Sequence, residues 1–196
     1  MALFDLNCGA REEVICGLRW EWEVKIPELD VVTFVVPPDF VKGITGKKRS
    51  RVLVCNSIAR SIIEEVRGQH PEFVFVYQRN RHRAGSLGTS RRNHTPKPPH
   101  PIQTMNNTGW QNWRDRTIGD IHVHDLRHTA GMRLREAGVA EETRADILWH
   151  TRKGMPQHYA VAQVVEIFGA LEKITSEKHA FNKTLDSIAR EQRRTA

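Results

Sequence analysis

Residues 121–131 read I-H-V-H-D-L-R-H-T-A-G, and the fold turns on how this stretch is read. His124 and Arg127 are three positions apart, so a helix that starts here carries both on one face. At a helix start, free amide groups and the helix dipole favour an anion. An imidazole and a guanidinium sharing that face suit a phosphate. An ordinary helix start with exposed polar side chains has the same pattern, so residues elsewhere in the chain must decide between the two.

Outward from this stretch, the downstream chain reads as helical. The helix from His124 runs to about Ala137 and stops at Gly138. Further helices are predicted over 141–150 and 156–174. A last amphipathic segment, 176–196, places Phe181, Leu185 and Ile188 at helical spacing. Upstream, 105–117 is predicted helical, with Trp110 and Trp113 expected in the core.

Before that lie three strand signals. W-E-W-E-V-K-I (20–26) alternates with period two, V-V-T-F-V-V (31–36) is β-branched and ends at Pro37 and Pro38, and R-V-L-V-C (51–55) follows. Asn56 is placed to cap a helix carrying Ile58, Ile62, Ile63 and Val66, which Gly68 ends. The first residues, M-A-L-F-D-L-N, read as the end of a helix broken at Gly9. R-E-E-V-I-C-G-L-R-W reads as a short helix with Val14, Ile15 and Leu18 on one face. F-V-F-V-Y, closing on Tyr77, reads as part of a strand. The long basic stretch 78–101 reads as a loop, either touching DNA or a surface insertion. The order predicts an α+β fold, mainly a helical bundle with a small three-stranded antiparallel sheet.

Composition narrows the partners. The 196 residues hold 30 Lys+Arg against 23 Asp+Glu, a net charge of +7, which points to a polyanion, most commonly nucleic acid. The three cysteines, Cys8, Cys16 and Cys55, form no C-x-x-C pair, which argues against a disulfide framework or a zinc–thiolate site and fits a reducing cytoplasm. No apolar run reaches membrane-spanning length, and the N-terminus lacks the pattern of a signal peptide.

Six residues complete the picture. G-A-R-E-E-V supplies Arg11, F-V-V-P-P-D-F-V-K-G supplies Lys42, H-D-L-R-H-T supplies His124 and Arg127, L-W-H supplies His150, and Q-H-Y supplies Tyr159, nine residues after His150. In order and in final spacing they resemble the catalytic domain of the tyrosine recombinases, the phage-integrase family, over about residues 2–171. Lys47 and Lys48 lie close enough in sequence to take the place of Lys42. The family usually has Gly before the second His, where this chain has Trp149.

The resemblance implies a site-specific recombinase or integrase that cuts and rejoins double-stranded DNA through a 3′-phosphotyrosine bond, with no metal, ATP or other cofactor. Tyr159 is the implied nucleophile. Its phenol, with a pKa of about 10, needs activation. Arg11 and Arg127 would bind the phosphate oxygens and His150 would add a hydrogen bond to them. His124 would take the phenolic proton and Lys42 would give one to the leaving 5′-oxygen.

The resemblance also implies a division at about 175. Residues 1–175 are expected to be the catalytic domain, lacking an N-terminal DNA-binding domain and the start of the first helix. Residues 176–196 are expected to form a helical tail that packs on its own domain or links protomers into a homo-tetramer on DNA. Two other readings accompany this one. The chain is a non-catalytic DNA-binding remnant of an integrase, or H-D-L-R-H is a zinc site in a hydrolase, with His124 and His128 at i and i+4 and His122 nearby.

Overall fold

The structure, a computed structural model, describes residues 1–26, 30–40, 50–77, 98–117, 119, 121–150 and 164–176. Its centre is a three-stranded antiparallel sheet in the order β1 (Glu23–Ile26), β2 (Val31–Val36), β3 (Arg51–Cys55). Phe34 sits opposite Glu23 on one side and Leu53 on the other. β2 is apolar on both faces because both faces are covered. Val32, Phe34 and Val36, with Leu53 and Cys55, join one apolar cluster with residues of α1 (Ala2–Cys8), α2 (Glu12–Cys16) and α3 (Ser57–Val66). Val31 and Val54 join a second cluster with Leu134, Ile147, Leu171 and Ile174. These come from α5 (Val123–Glu136), α6 (Glu141–Ile147), α7 (Val164–Glu172) and the turn after it. The fold is the expected α+β arrangement, with seven α-helices among the described residues.

Several elements differ from the sequence reading. W-E-W-E-V-K-I is not one strand, since Trp20–Trp22 form a 3₁₀ turn and β1 begins at Glu23. The alternation arose from burial of aromatic rings rather than from a pleat. Trp22 is buried, and the Trp20 indole donates to the His70 carbonyl at 3.0 Å. The stretch read as a loop over 78–101 ends in structure, because β5 (His100–Pro101) pairs with β4 (Val76–Tyr77). α6 ends at Ile147, short of the predicted 150.

The helix expected from 105 begins later, as α4 (Thr108–Thr117). The residues before it are held instead by Glu12. Its Oε1 accepts from the Thr104 hydroxyl and the Met105 amide, both at 2.6 Å. Trp110 packs against the core, but Trp113, expected there too, is half exposed. The start of the helix predicted from 156 lies outside the described residues, as does nearly all of 176–196.

Two side chains tie the layers together. Asn56, fully buried, caps α3 by accepting from the Ala59 amide at 2.9 Å. Its amide group donates to Asn7 Oδ1 of α1 at 3.2 Å and to the Leu171 carbonyl of α7 at 3.1 Å. Arg133 of α5 donates to the Leu6 carbonyl at 3.1 Å and to the Ile174 carbonyl.

Asn56→Ala removes the cap and the donor shared by Asn7 Oδ1 and the Leu171 carbonyl. It should cost about 3 kcal/mol, read by urea unfolding. A loss below about 1 kcal/mol would mean that the links to Asn7 and Leu171 add nothing.

Candidate active site

Arg127 occupies the middle of the site and is 5% exposed. It lies in the second turn of α5, whose first turn is fixed by the Asp125 carboxylate accepting from the His122 amide at 2.8 Å. Arg127 Nη1 donates to the Gly9 carbonyl at 2.5 Å, and Nη2 donates to the Leu148 carbonyl. Gly9 ends α1 and Leu148 ends α6. Carbonyls at helix C-termini lack partners within the helix and carry the negative end of its dipole, so a guanidinium is well matched to two of them. Burial, then Arg11 nearby, pushes the Arg127 pKa down to about 10. It remains charged at neutral pH.

Each of these helix ends delivers a site residue two positions later. Gly9 has φ 61°, and its amide donates to the Asp5 carbonyl at 2.7 Å. A Cβ at Gly9 would lie 2.8 Å from Leu148 Cδ2, so glycine is required by contact as well as by conformation. The turn leads to Arg11, which is extended and precedes α2. Arg11 Nη1 is buried and has no hydrogen-bond partner among the described residues. A donor in that state is available to an anionic ligand.

At the other end, Trp149 has φ 51°, the left-handed conformation. The His150 amide donates to Ala145 and the Trp149 amide to Asp146, the double closure of a helix that ends on a left-handed residue. Glycine is the easy choice for this φ. Trp149 offsets the conformational cost by burying its ring and donating its indole N–H to the Val52 carbonyl of β3 at 3.2 Å. His150 emerges directly from this turn.

Arg11, His124, Arg127, His128 and His150 all line one open cleft of about 1010 Å³. The cleft continues along α5 to Arg135 and along α6 to Arg144 and Glu141. His124 and His128 touch edge to face, their ring centroids 4.6 Å apart and their planes at 88°. Among the described residues, no group of three His, Cys, Asp or Glu side chains is placed to hold a metal ion. The His124 pKa is held below its ordinary value, first by desolvation and then by His128 and Arg127, with Asp125 opposing. Desolvation also lowers His150, followed by Arg127, Arg11 and His128. Both imidazoles are therefore mainly neutral at pH 7, the form able to accept a proton.

Four of the six residues singled out in the sequence thus meet in one cleft: Arg11, His124, Arg127 and His150. Lys42 and Tyr159, together with Lys47 and Lys48, lie outside the described residues. Sequence reasoning missed Glu12, which holds the segment before α4, and Asp5, a buried carboxylate of α1 on which the Arg127 charge acts. Glu12 could have been suspected from its place beside Arg11. Asp5 interrupts an apolar helix face, which was its only sequence signal. Residues 1–165 match the phage integrase family. No curated protein and no solved structure matches the chain.

Titrating the histidine rings by NMR should give midpoints below the ordinary value of about 6.5 for His124 and His150. Arg11→Ala should raise both. The folded chain then binds fewer protons than the unfolded chain just below that pH, so stability should fall as the solution is acidified through it. Midpoints at or above 6.5 would remove the case for neutral imidazoles.

Proposed function

Because the chain belongs to the phage integrase family, the tyrosine recombinases, we propose that it cuts and rejoins duplex DNA at a specific site, with Tyr159 as nucleophile. The observation that carries this reading is the meeting of Arg11, His124, Arg127 and His150 in one cleft, with a buried Arg11 nitrogen left unpaired. A phosphodiester placed there meets two guanidinium groups and a neutral imidazole. These favour the extra negative charge that phosphorus gathers as it becomes five-coordinate. Arg127 is already held by two carbonyls, so it offers its remaining N–H groups from a fixed position.

In the proposed step, the Tyr159 oxygen bonds to phosphorus and the bond to the 5′-oxygen breaks. His124 takes the phenolic proton, and Lys42 gives a proton to the departing 5′-oxygen. The products are a 3′-phosphotyrosine and a free 5′-hydroxyl. No redox change or external energy source is involved. The hydroxyl of a second strand reverses the same step and seals the exchange. Residues 1–175 make up the proposed catalytic domain. Residues 176–196 make up a tail that docks on its own domain or links a tetramer on DNA.

A covalent trap tests the nucleophile. Duplexes that bind the chain would be selected from a randomised pool and rebuilt with bridging 5′-phosphorothiolates, whose thiol product does not re-attack. The intact chain should give a DNA–protein adduct that survives denaturation, and Tyr159→Phe should give none. Arg11→Ala should slow adduct formation by about 100-fold or more. Binding without any adduct would leave a DNA-binding protein without chemistry, and the proposal would fail. An adduct that persists in Tyr159→Phe would assign the wrong nucleophile.

A further inference from the structure

Asp5 has no place in the chemistry described so far, and its setting is unusual for a carboxylate. It lies in α1, a helix packed against α5, and is 1% exposed. Its Oδ1 is buried and accepts no hydrogen bond among the described residues. The charges that act on it are Arg127 from α5, Glu12 from α2 and the α-amino group of Met1. α3 and β3 also pack on α1; between them Asn56 donates to Asn7 of that helix, and the buried Cys55 thiol acts on Cys8. Cys8, a buried thiol on α1 itself, is also coupled to Asp5. Among the described residues, Asp5 is the carboxylate whose charge acts on Arg127.

We propose that Asp5 is a positioning residue for Arg127, a buried counter-charge that sets how much of the guanidinium's positive charge reaches a phosphate in the cleft. When Asp5 is ionised, its negative charge offsets part of the Arg127 charge, and the anion is held less tightly. When Asp5 is protonated, Arg127 keeps its two carbonyl contacts, and the site is one unit more positive. Burial pushes the Asp5 pKa up to about 7, while Arg127 acts in the opposite sense. The exchange of charge therefore falls near neutrality. Asp5 stands one turn before Gly9, whose carbonyl holds Arg127, and it does not line the cleft, so removing its charge changes the field there without removing a lining group.

This inference rests on the cleft being a phosphate pocket, and the test separates the two. The probe is inorganic sulfate, a tetrahedral dianion whose charge is constant from pH 5.5 to 8.5. Binding is measured by calorimetry at fixed ionic strength for the wild-type chain, Asp5→Asn and Arg11→Ala. His124, His128 and His150 also lose charge over this range, so the deciding quantity is the ratio between variant and wild type. Asp5→Asn should match the wild type at pH 5.5 and bind sulfate about three- to tenfold more tightly at pH 8.5. A ratio that does not change with pH overturns the role of Asp5. If Arg11→Ala binds sulfate as the wild type does, the phosphate-pocket reading fails, and the Asp5 inference fails with it. If Asp5→Asn does not fold, Asp5→Leu, neutral and of similar size, carries the same expectation.

Discussion

The site depends on one buried charge. The Arg127 guanidinium sits where the C-terminal ends of α1 and α6 converge, and it donates to the last carbonyl of each. Those carbonyls need partners, and no water-exposed route to them would keep the helix ends this close. Placing a cation between them satisfies both and favours the charged form against the cost of burial. The geometry follows from this. Arg11 comes two residues after Gly9 and His150 two residues after Leu148, so fixing the two helix ends also fixes the two side chains flanking Arg127. A substitution at Arg127 would therefore remove a cation from the cleft and also the reason its neighbours converge.

The two arginines of the cleft are in opposite states. Arg127 is committed to backbone carbonyls, whereas Arg11 keeps a buried nitrogen without a partner. One is a rigid support and the other a vacant donor. Their combined field also keeps protons off His124 and His150. The pocket is thus strongly positive where a phosphate would bind, yet it contains imidazoles able to accept a proton. These properties usually compete, because positive surroundings that attract an anion also make a base weaker. Here they coexist because the positive charge comes from guanidinium groups, which stay protonated, and the basic role from rings that burial has already made neutral.

Much of this was legible in the sequence. The β-branched apolar run of β2, the Asn56 cap and the face shared by His124 and Arg127 follow from local rules, and the structure keeps all three. Where the reading failed, distant partners had overridden local pattern. Trp20 and Trp22 alternate like a strand but are buried through a 3₁₀ turn braced by His70. Residues 105 and 106 look helical but are held by a carboxylate about ninety positions earlier. His100 and Pro101 look like loop but find Val76 and Tyr77. Trp149 is the most informative departure. A large ring stands where the family usually has glycine; it adopts a left-handed conformation and anchors the turn to β3. The coupling of Asp5 to Arg127 was not legible, since it arises only when α1 packs on α5.

The stitching by Arg133 has a consequence for synthesis. Its two acceptors, Leu6 and Ile174, come from nearly opposite ends of the described chain, and Asn56 likewise joins Asn7 to Leu171. A chain leaving the ribosome from its N-terminus has made α1, the sheet and α5, with Asn56 and Arg133, before the acceptors Leu171 and Ile174 exist. Contacts of such long sequence separation form late and together. The clasp across α1, α5 and the turn after α7 therefore closes only once α7 has been made.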